Sequence, residues 1–300
     1  METGLYHNMN ETEYHAHPAL SVHLLHEFRR SPAHYRLALE GHGKEPTPAM
    51  ILGRATHCCA LEPDKWASDW VRGPESRRGK KVWESAEYEA HQRGQKVLPE
   101  PEYDRVTTIA DAVRAHPIAA RLLAESVNDR EVSLFADIDD QHGGTRPARG
   151  RCDAICHDLK IVWDLKSCEC ADPAAWQRVT LDYRYHVQGA FYVDGLALCG
   201  YPDYTWVVVA AESKPPHGVS VIYYPPAWID AGRLAYQTDL AKLRECELSG
   251  DWSGYGQNVH TLGADGWVAK KMQEDGTWQN LKNRLTQRHS QPSSMDDISI

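Results

Sequence analysis

No stretch of these 300 residues approaches the roughly 20 consecutive apolar positions that a membrane-spanning helix needs. The opening residues, METGLYHNMNETEYHAHPAL, have neither a basic start nor an apolar core, so no secretory leader is expected. The eight cysteines, Cys58, Cys59, Cys152, Cys156, Cys168, Cys170, Cys199 and Cys246, are scattered rather than arranged as a disulfide framework. A reducing cytoplasm, and no membrane, is the expectation. Internal repeats and low-complexity tracts are also missing, which excludes solenoid and fibrous architectures. Positive charge is in deficit: 33 Lys and Arg against 42 Asp and Glu leave a formal net charge of −9. That argues against a protein that coats nucleic acid through bulk electrostatics. It leaves room for an enzyme that holds nucleic acid on a local basic track while its carboxylates bind metal.

The remaining composition, 42% hydrophobic and 25% charged, is that of an ordinary globular chain. At this length one large domain or two small ones can bury a core without disulfide or metal staples. Ser21 is placed to cap a short helix through Phe28 and Arg30, Ser31-Pro32 restarts a second, and Thr47-Pro48 opens a third through about Leu61. The stretch VRGPESRRGKK, with Arg72, Arg77, Arg78, Lys80 and Lys81, reads as a basic loop because Gly and Pro punctuate it. Residues 102–124 look helical, broken at His116-Pro117. The pattern then turns to strands. REVSLFADI alternates, and ARGRCDAIC and KIVWDLKS form two strands joined by a tight turn near His157-Asp158. Asp172-Pro173 starts a helix, a second spans about Tyr185 to Leu198, and TWVVVAA and GVSVIYY are two further strands. A long helix covers about Ala227 to Leu248. The order implies an α/β domain with a mixed central sheet flanked by helices.

The chemistry concentrates in WDLKS. Asp164 and Lys166 are two apart on a strand and share a face, with Trp163 and Leu165 on the other. Alone, such a pair is a surface ion pair. Asp153, however, lies on the preceding strand, where hairpin pairing brings it beside Asp164. Two convergent carboxylates repel unless a cation lies between them, and hard oxygen ligands suit Mg²⁺ or Mn²⁺. Lys166 could orient or help deprotonate an attacking water and offset charge on a phosphate, giving a site for metal-assisted phosphodiester hydrolysis. Two more pairs stand at helical i, i+4 spacing. Gln188 and Tyr192 stack on one face, with Gly189 allowing close approach of another backbone, and Gly53 precedes His57 in ILGRATHC. Arg54 is a phosphate-contact candidate, as are Arg77, Arg78, Lys80 and Lys81 of the basic loop. So are Arg146, Arg149 and Arg151, which lead into the Asp153 strand.

Taken in order, Gly53-x-x-x-His57, a strand bearing Glu131, Asp153, Asp164-Leu165-Lys166 and Gln188-x-x-x-Tyr192 resemble the motifs of PD-(D/E)XK nucleases, in the branch of RecB and lambda exonuclease. The wider chain resembles RecE-type (exonuclease VIII) C-terminal nuclease domains over roughly residues 14 to 271. The segments are YHAHPALS, SPAHYR, PTPAMILGRATHCCALEP, RGRCDAI, YHVQGAFYVDG, and WSGYG with Trp267 beyond it. The motif reads Asp-x-Lys rather than Glu-x-Lys, a form that RecE shares.

The resemblance implies a restriction-endonuclease-like core within a single nuclease domain over residues 1–270. Residues 14–125 would be largely helical, 126–248 the α/β catalytic core, 249–270 an extension, and 271–300 a frayed polar tail. It implies a Mg²⁺-dependent exonuclease, Mn²⁺ substituting, that degrades linear double-stranded DNA from 5′ ends. The 3′ single-stranded tail would pass to a RecT-like annealing protein. A homo-oligomeric ring, a tetramer, and a phage or prophage origin in a bacterial host are implied as well. By motif, Asp153 and Asp164 would hold the metal, completed by His57, the Leu165 backbone carbonyl and Glu131. Lys166 would be the catalytic lysine, and Gln188 and Tyr192 would contact DNA or order the site. An iron–sulfur cluster is not expected, since only Cys246 lies beyond Cys199, and Cys168-x-Cys170 is too short for a zinc half-site. A non-catalytic DNA-end scaffold and an endonuclease remain the alternatives.

Overall fold

The structure is a computed structural model that describes residues 1–41 and 46–256, together with 259, 261, 266 and 270. From the N-terminus run strand β1 (Gly4–Tyr6), helix α1 (Glu11–Ala16), strand β2 (Leu20–Ser21) and helices α2 (Val22–Arg30), α3 (Pro32–Leu39), α4 (Pro48–Leu61) and α5 (Pro63–Asp69). Then come β3 (Trp70–Arg72), α6 (Lys80–Gln92), β4 (Lys96–Leu98), α7 (Glu100–Ala115) and α8 (Pro117–Glu125). The second half holds β5 (Arg130–Asp139), β6 (Thr145–Cys156), β7 (Ile161–Cys168), α9 (Pro173–Tyr183), α10 (Tyr185–Leu198), β8 (Thr205–Glu212), β9 (Val219–Tyr223) and α11 (Pro226–Ser249).

Helix starts follow local chemistry. The side chains of Ser21, Ser31, Thr47 and Asp172 each accept a backbone N–H from the first turn of the helix that follows. Proline occupies the first turn after three of these caps, where its missing N–H costs nothing. The basic stretch is a loop only in part. Trp70–Arg72 pairs with Lys96–Leu98 as a two-stranded parallel sheet, and Lys80 and Lys81 open α6. That helix escaped the sequence pattern because its charged face is broad and only Trp83 and Ala90 are buried.

The main sheet runs β1-β5-β6-β7-β8-β9, with β2 pairing alongside β6. Strands β5, β6 and β7 form an antiparallel meander. The β7–β8 pair is parallel, which requires a crossover, here supplied by α9 and α10. On one face Val132, Leu134, Cys152, Val162 and Trp206 form a core with α2, α10 and α11. On the other, Ala154, Trp163, Leu165 and Val207 form a second core with α4, α7 and α8. Residues Met1–Gly254 form one compact unit. Trp267 and the tail 271–300 lie outside the described residues. Among the described residues no helix is long and apolar enough to cross a membrane. All eight cysteines are free thiols.

Helix α10, which carries Gln188 and Tyr192, is clamped by two glycines. A Cβ on Gly189 would lie 2.5 Å from the Trp206 ring, so this close approach is to an indole rather than to backbone. A Cβ on Gly232 of α11 would lie 2.2 Å from the His186 carbonyl oxygen, so there two helix backbones touch. A backbone atom cannot swing aside as a side chain can. Gly232→Ala is therefore expected to lower stability by about 3 kcal/mol, despite the gain in helix propensity. The midpoint of chemical denaturation checks this, and an unchanged midpoint would show that α10 and α11 are not in backbone contact.

Candidate active site

The β6–β7 ladder pairs Cys156 with Ile161, Ile155 with Val162 and Ala154 with Trp163, and then stops. At the next position the Leu165 N–H donates instead to Asp153 Oδ2, at 2.7 Å. Because N–H and C=O of one strand residue leave on the same edge, the Leu165 carbonyl faces β6 too. Asp164 stands beside Asp153 and is almost completely buried. Its Oδ1 accepts a hydrogen bond from Gln188 Nε2 at 2.7 Å, and its Oδ2 lies 2.6 Å from Lys166 Nζ. The ammonium also sits over the Tyr185 ring, 5.1 Å from its centroid.

Regular strand geometry fails one residue before this point. Cys152 belongs to the first core and Ala154 to the second, although residues two apart on a strand normally share a face. The partner strand does the same. Val132 packs in the first core, whereas the Arg130 guanidinium reaches the carbonyls of Leu61 and Leu123 on the other side, at 2.6 and 2.5 Å. Between them, Glu131 has φ +52°, the left-handed region that a glutamate enters only when its surroundings impose it. Both strands change faces across the Glu131–Asp153 position. At that position Glu131 and Asp153 meet His57, which descends from α4. His57 Nδ1 lies 3.3 Å from Asp153 Oδ2, and the ligand-capable atoms of His57, Glu131 and Asp153 all fall within 4.8 Å of one another.

The electrostatics of this cluster are those of a cation site. Burial, the Asp153 charge and the Glu62 charge push the Glu131 carboxyl up to about 8. Burial and the Asp164 charge push Asp153 up to about 6, against the pull of His57 and Lys166. Burial alone would lower Lys166, but Asp164 and Asp153 outweigh it and hold the lysine as an ammonium. One imidazole and two carboxylates, crowded and desolvated, are a donor set that a divalent ion such as Mg²⁺ or Mn²⁺ fits. Asp164 stands next to that set, its oxygens meeting Gln188 and Lys166 while each keeps a lone pair free.

The cluster opens into a cavity of about 820 Å³. Arg54 and Tyr192 line it, along with Lys65, Lys96, Arg130 and Arg151. Tyr192 is buried, edge-on to Trp206 and over Gly150, so it serves as wall, while Gln188 orders Asp164. None of Arg77, Arg78, Lys80 and Lys81 lines this cavity. Arg77 forms a forked pair with Glu102 at 2.7 and 3.0 Å and lies over the Trp83 ring, which leaves it little capacity for phosphate. Arg146 pairs with Glu247 at 2.5 Å. Arg149 and Arg151 sandwich against Tyr14, with guanidinium carbons 4.8 and 4.4 Å from its ring centroid, and Arg151 also donates to the Met9 carbonyl. They pin the N-terminal segment over the cavity, where Asn8, Asn10 and His15 join the lining. Nothing in the local sequence marks that segment, Lys65, Lys96 or Arg130 as site residues, because each arrives through long-range packing.

The antiparallel meander β5–β6–β7, the parallel β8 beyond the crossover, and the acidic pair with its lysine at the strand junction define a PD-(D/E)XK-type fold. The chain belongs to the PDDEXK-like domain family of unknown function DUF3799, whose family model matches residues 21–263. Among solved structures it is similar to a "putative exonuclease" from Eubacterium rectale, at 10% identity and a TM-score of 0.58, over 81% of this chain and 88% of that one. A second structure, SSO0001, aligns at 16% identity over 68% of this chain and 88% of that one, with a TM-score of only 0.29. No curated protein matches the sequence.

The raised carboxyls carry a stability signature. Glu131 and Asp153 titrate near 4.5 and 3.8 when unperturbed but near 8 and 6 in the fold. The metal-free folded state therefore holds more protons than the unfolded one across that window, and stability falls as pH rises through it. The melting temperature of metal-free protein is expected to drop between about pH 5 and about pH 9, and Glu131→Gln to flatten the decline. Added Mg²⁺ should raise the melting temperature more at the alkaline end, where the ligands are ionised. Equal stabilisation at both ends would remove Glu131 and Asp153 from the cation site.

Proposed function

We propose that this chain is a divalent-metal-dependent DNA nuclease, working as an exonuclease that degrades linear duplex DNA from 5′ ends and leaves 3′ single-stranded tails. The observation that carries this is the His57, Glu131 and Asp153 cluster standing directly beside the buried Asp164–Lys166 ion pair at the floor of a cavity. His57, Glu131 and Asp153 would hold Mg²⁺, or Mn²⁺ in its place, with Asp164 beside them and the Leu165 carbonyl on the same edge. The ion would supply charge neutralisation at phosphate and a more acidic bound water. Lys166, held as an ammonium by its carboxylate neighbours in the metal-free site, offers positive charge to the scissile phosphate, which favours the charge-stabilising role over that of a base. Asp164 positions that ammonium, and Gln188 positions Asp164. Arg54 and Lys96 in the cavity wall would supply local cationic contacts that the net charge of −9 does not.

The 5′ polarity, the tetrameric ring and the hand-over to a RecT-like annealing protein rest on the motif resemblance to RecE-type nucleases. So does an origin in a phage or prophage acting in the bacterial cytoplasm, with which free thiols are compatible. A linear blunt duplex labelled separately at its 5′ and 3′ ends, digested with Mg²⁺ or with EDTA beside a closed circular duplex, tests the mode. Mg²⁺-dependent release of 5′ label with the circle intact is the expected result. Cutting of the circle would make the chain an endonuclease, and no digestion would make it a scaffold.

Alanine is a poor probe at the buried pair, although the sequence alone gave no reason to avoid it. Removing either partner strands a buried charge, at a cost of about 3–5 kcal/mol. Asp164→Asn and Lys166→Gln keep the shape. Each is expected to lower cleavage by about a hundredfold or more while the fold persists by circular dichroism. Full activity in either variant would overturn the site.

A further inference from the structure

Lys166 also touches a second feature, a stack of three aromatic rings. Tyr185, beneath the Lys166 ammonium, lies parallel to Trp176, with centroids 5.8 Å apart and 19° between planes. It also lies parallel to Tyr183, at 5.6 Å and 12°. Trp176 is buried and locked, its indole N–H donating to the Tyr224 hydroxyl at 3.0 Å, which Thr180 also engages at 2.7 Å. Tyr183 is 62% exposed. The stack thus runs from a fixed buried base, past the lysine, to an open ring at the surface.

Such a stack does not arise from helix geometry. Residues two apart on one helix point in nearly opposite directions, so Tyr183 and Tyr185 could not lie face to face within a continuous α9–α10. Arg184 breaks the helix between them with φ +57°, a conformation that a non-glycine residue enters at a cost. It is held there by a largely buried ion pair to Asp239 at 2.6 Å. The kink brings the two rings into register beside the lysine. A packing role would be complete without Tyr183, whose outer position buries little. An ammonium next to an open, rigid π face matches what one nucleotide presents, a phosphate and a base.

We propose that Tyr183, backed by Tyr185 and Trp176, is a stacking platform for an unpaired nucleobase of the strand whose phosphodiester lies at Lys166. The inference rests on the nuclease reading and deepens it, naming a frayed strand rather than an intact duplex end as the form that occupies the site. Base–aromatic stacking tolerates any base, so the platform adds grip without sequence preference.

The test uses the whole chain with Mg²⁺ and a duplex whose 5′-terminal bases are mismatched. Its terminal linkages are phosphorothioates, and 2-aminopurine stands at the end. Binding is expected to quench the 2-aminopurine, and Tyr183→Ala to abolish the quench and weaken binding about tenfold, with Tyr183→Trp restoring both. An unchanged melting temperature in Tyr183→Ala shows that the exposed ring is not needed for folding. Wild-type protein that cuts unprotected DNA, while Tyr183→Ala binds and quenches as well as wild type, would overturn the platform and leave the nuclease standing. A wild-type chain that neither binds nor cuts DNA would overturn both.

Discussion

Two carboxylates on neighbouring strands, Asp153 and Asp164, impose the constraint around which the site is arranged. Placed side by side in a desolvated sheet they repel, and each must be compensated locally. Asp164 is answered by the Lys166 ammonium and the Gln188 amide, and Asp153 by the Leu165 N–H and the His57 ring. Interrupting the ladder after Ala154 and Trp163 frees that N–H for Asp153. Even so the compensation is incomplete, because the carboxyls of Asp153 and Glu131 stay well above their ordinary range. Residual repulsion of this kind is what a bound divalent cation relieves, so the electrostatic defect and the expected cofactor are two aspects of one arrangement.

The change of strand faces at Glu131 and Asp153 has the same logic. The change of face, accompanied by a left-handed glutamate, falls at the position where an acidic pair confronts a histidine from the second-core side. Strain confined to one residue is tolerable here because two hydrophobic cores hold the strands on either side. The two faces of the sheet then divide the work. The α4 side contributes His57 and the cavity, and the α10 side contributes Gln188 and the Tyr185 ring beneath the lysine.

Much of this was legible in the residues. The turn between ARGRCDAIC and KIVWDLKS and the two-residue period of WDLKS were enough to bring Asp153, Asp164 and Lys166 together. Hairpin register depends on local spacing, and side-chain alternation on backbone geometry. Helical spacing placed Gln188 and Tyr192 on one face but did not say what that face meets; of the two roles the resemblance implied, contact with DNA or ordering of the site, the Gln188–Asp164 hydrogen bond fits the second. The partners of the basic run at Arg77 were hidden for a similar reason. Charge in sequence says nothing of its partners, and Glu102, 25 residues away, takes the guanidinium. The N-terminal cover, with Tyr14 under Arg149 and Arg151, carries no local signal at all.

The amino-acid sequence by itself determined the class of fold, the strand pair that carries the acidic residues and the lysine beside them, because those follow from period, turn and cap chemistry acting over a few residues. Only the tertiary structure decided which carboxylates face the histidine and which one serves the lysine. It alone decided that Arg184 kinks two tyrosines into a stack and that distant cations wall the cavity. Each of those outcomes depends on contacts between segments far apart in the chain, whose geometry is set by the packing of two cores against one sheet.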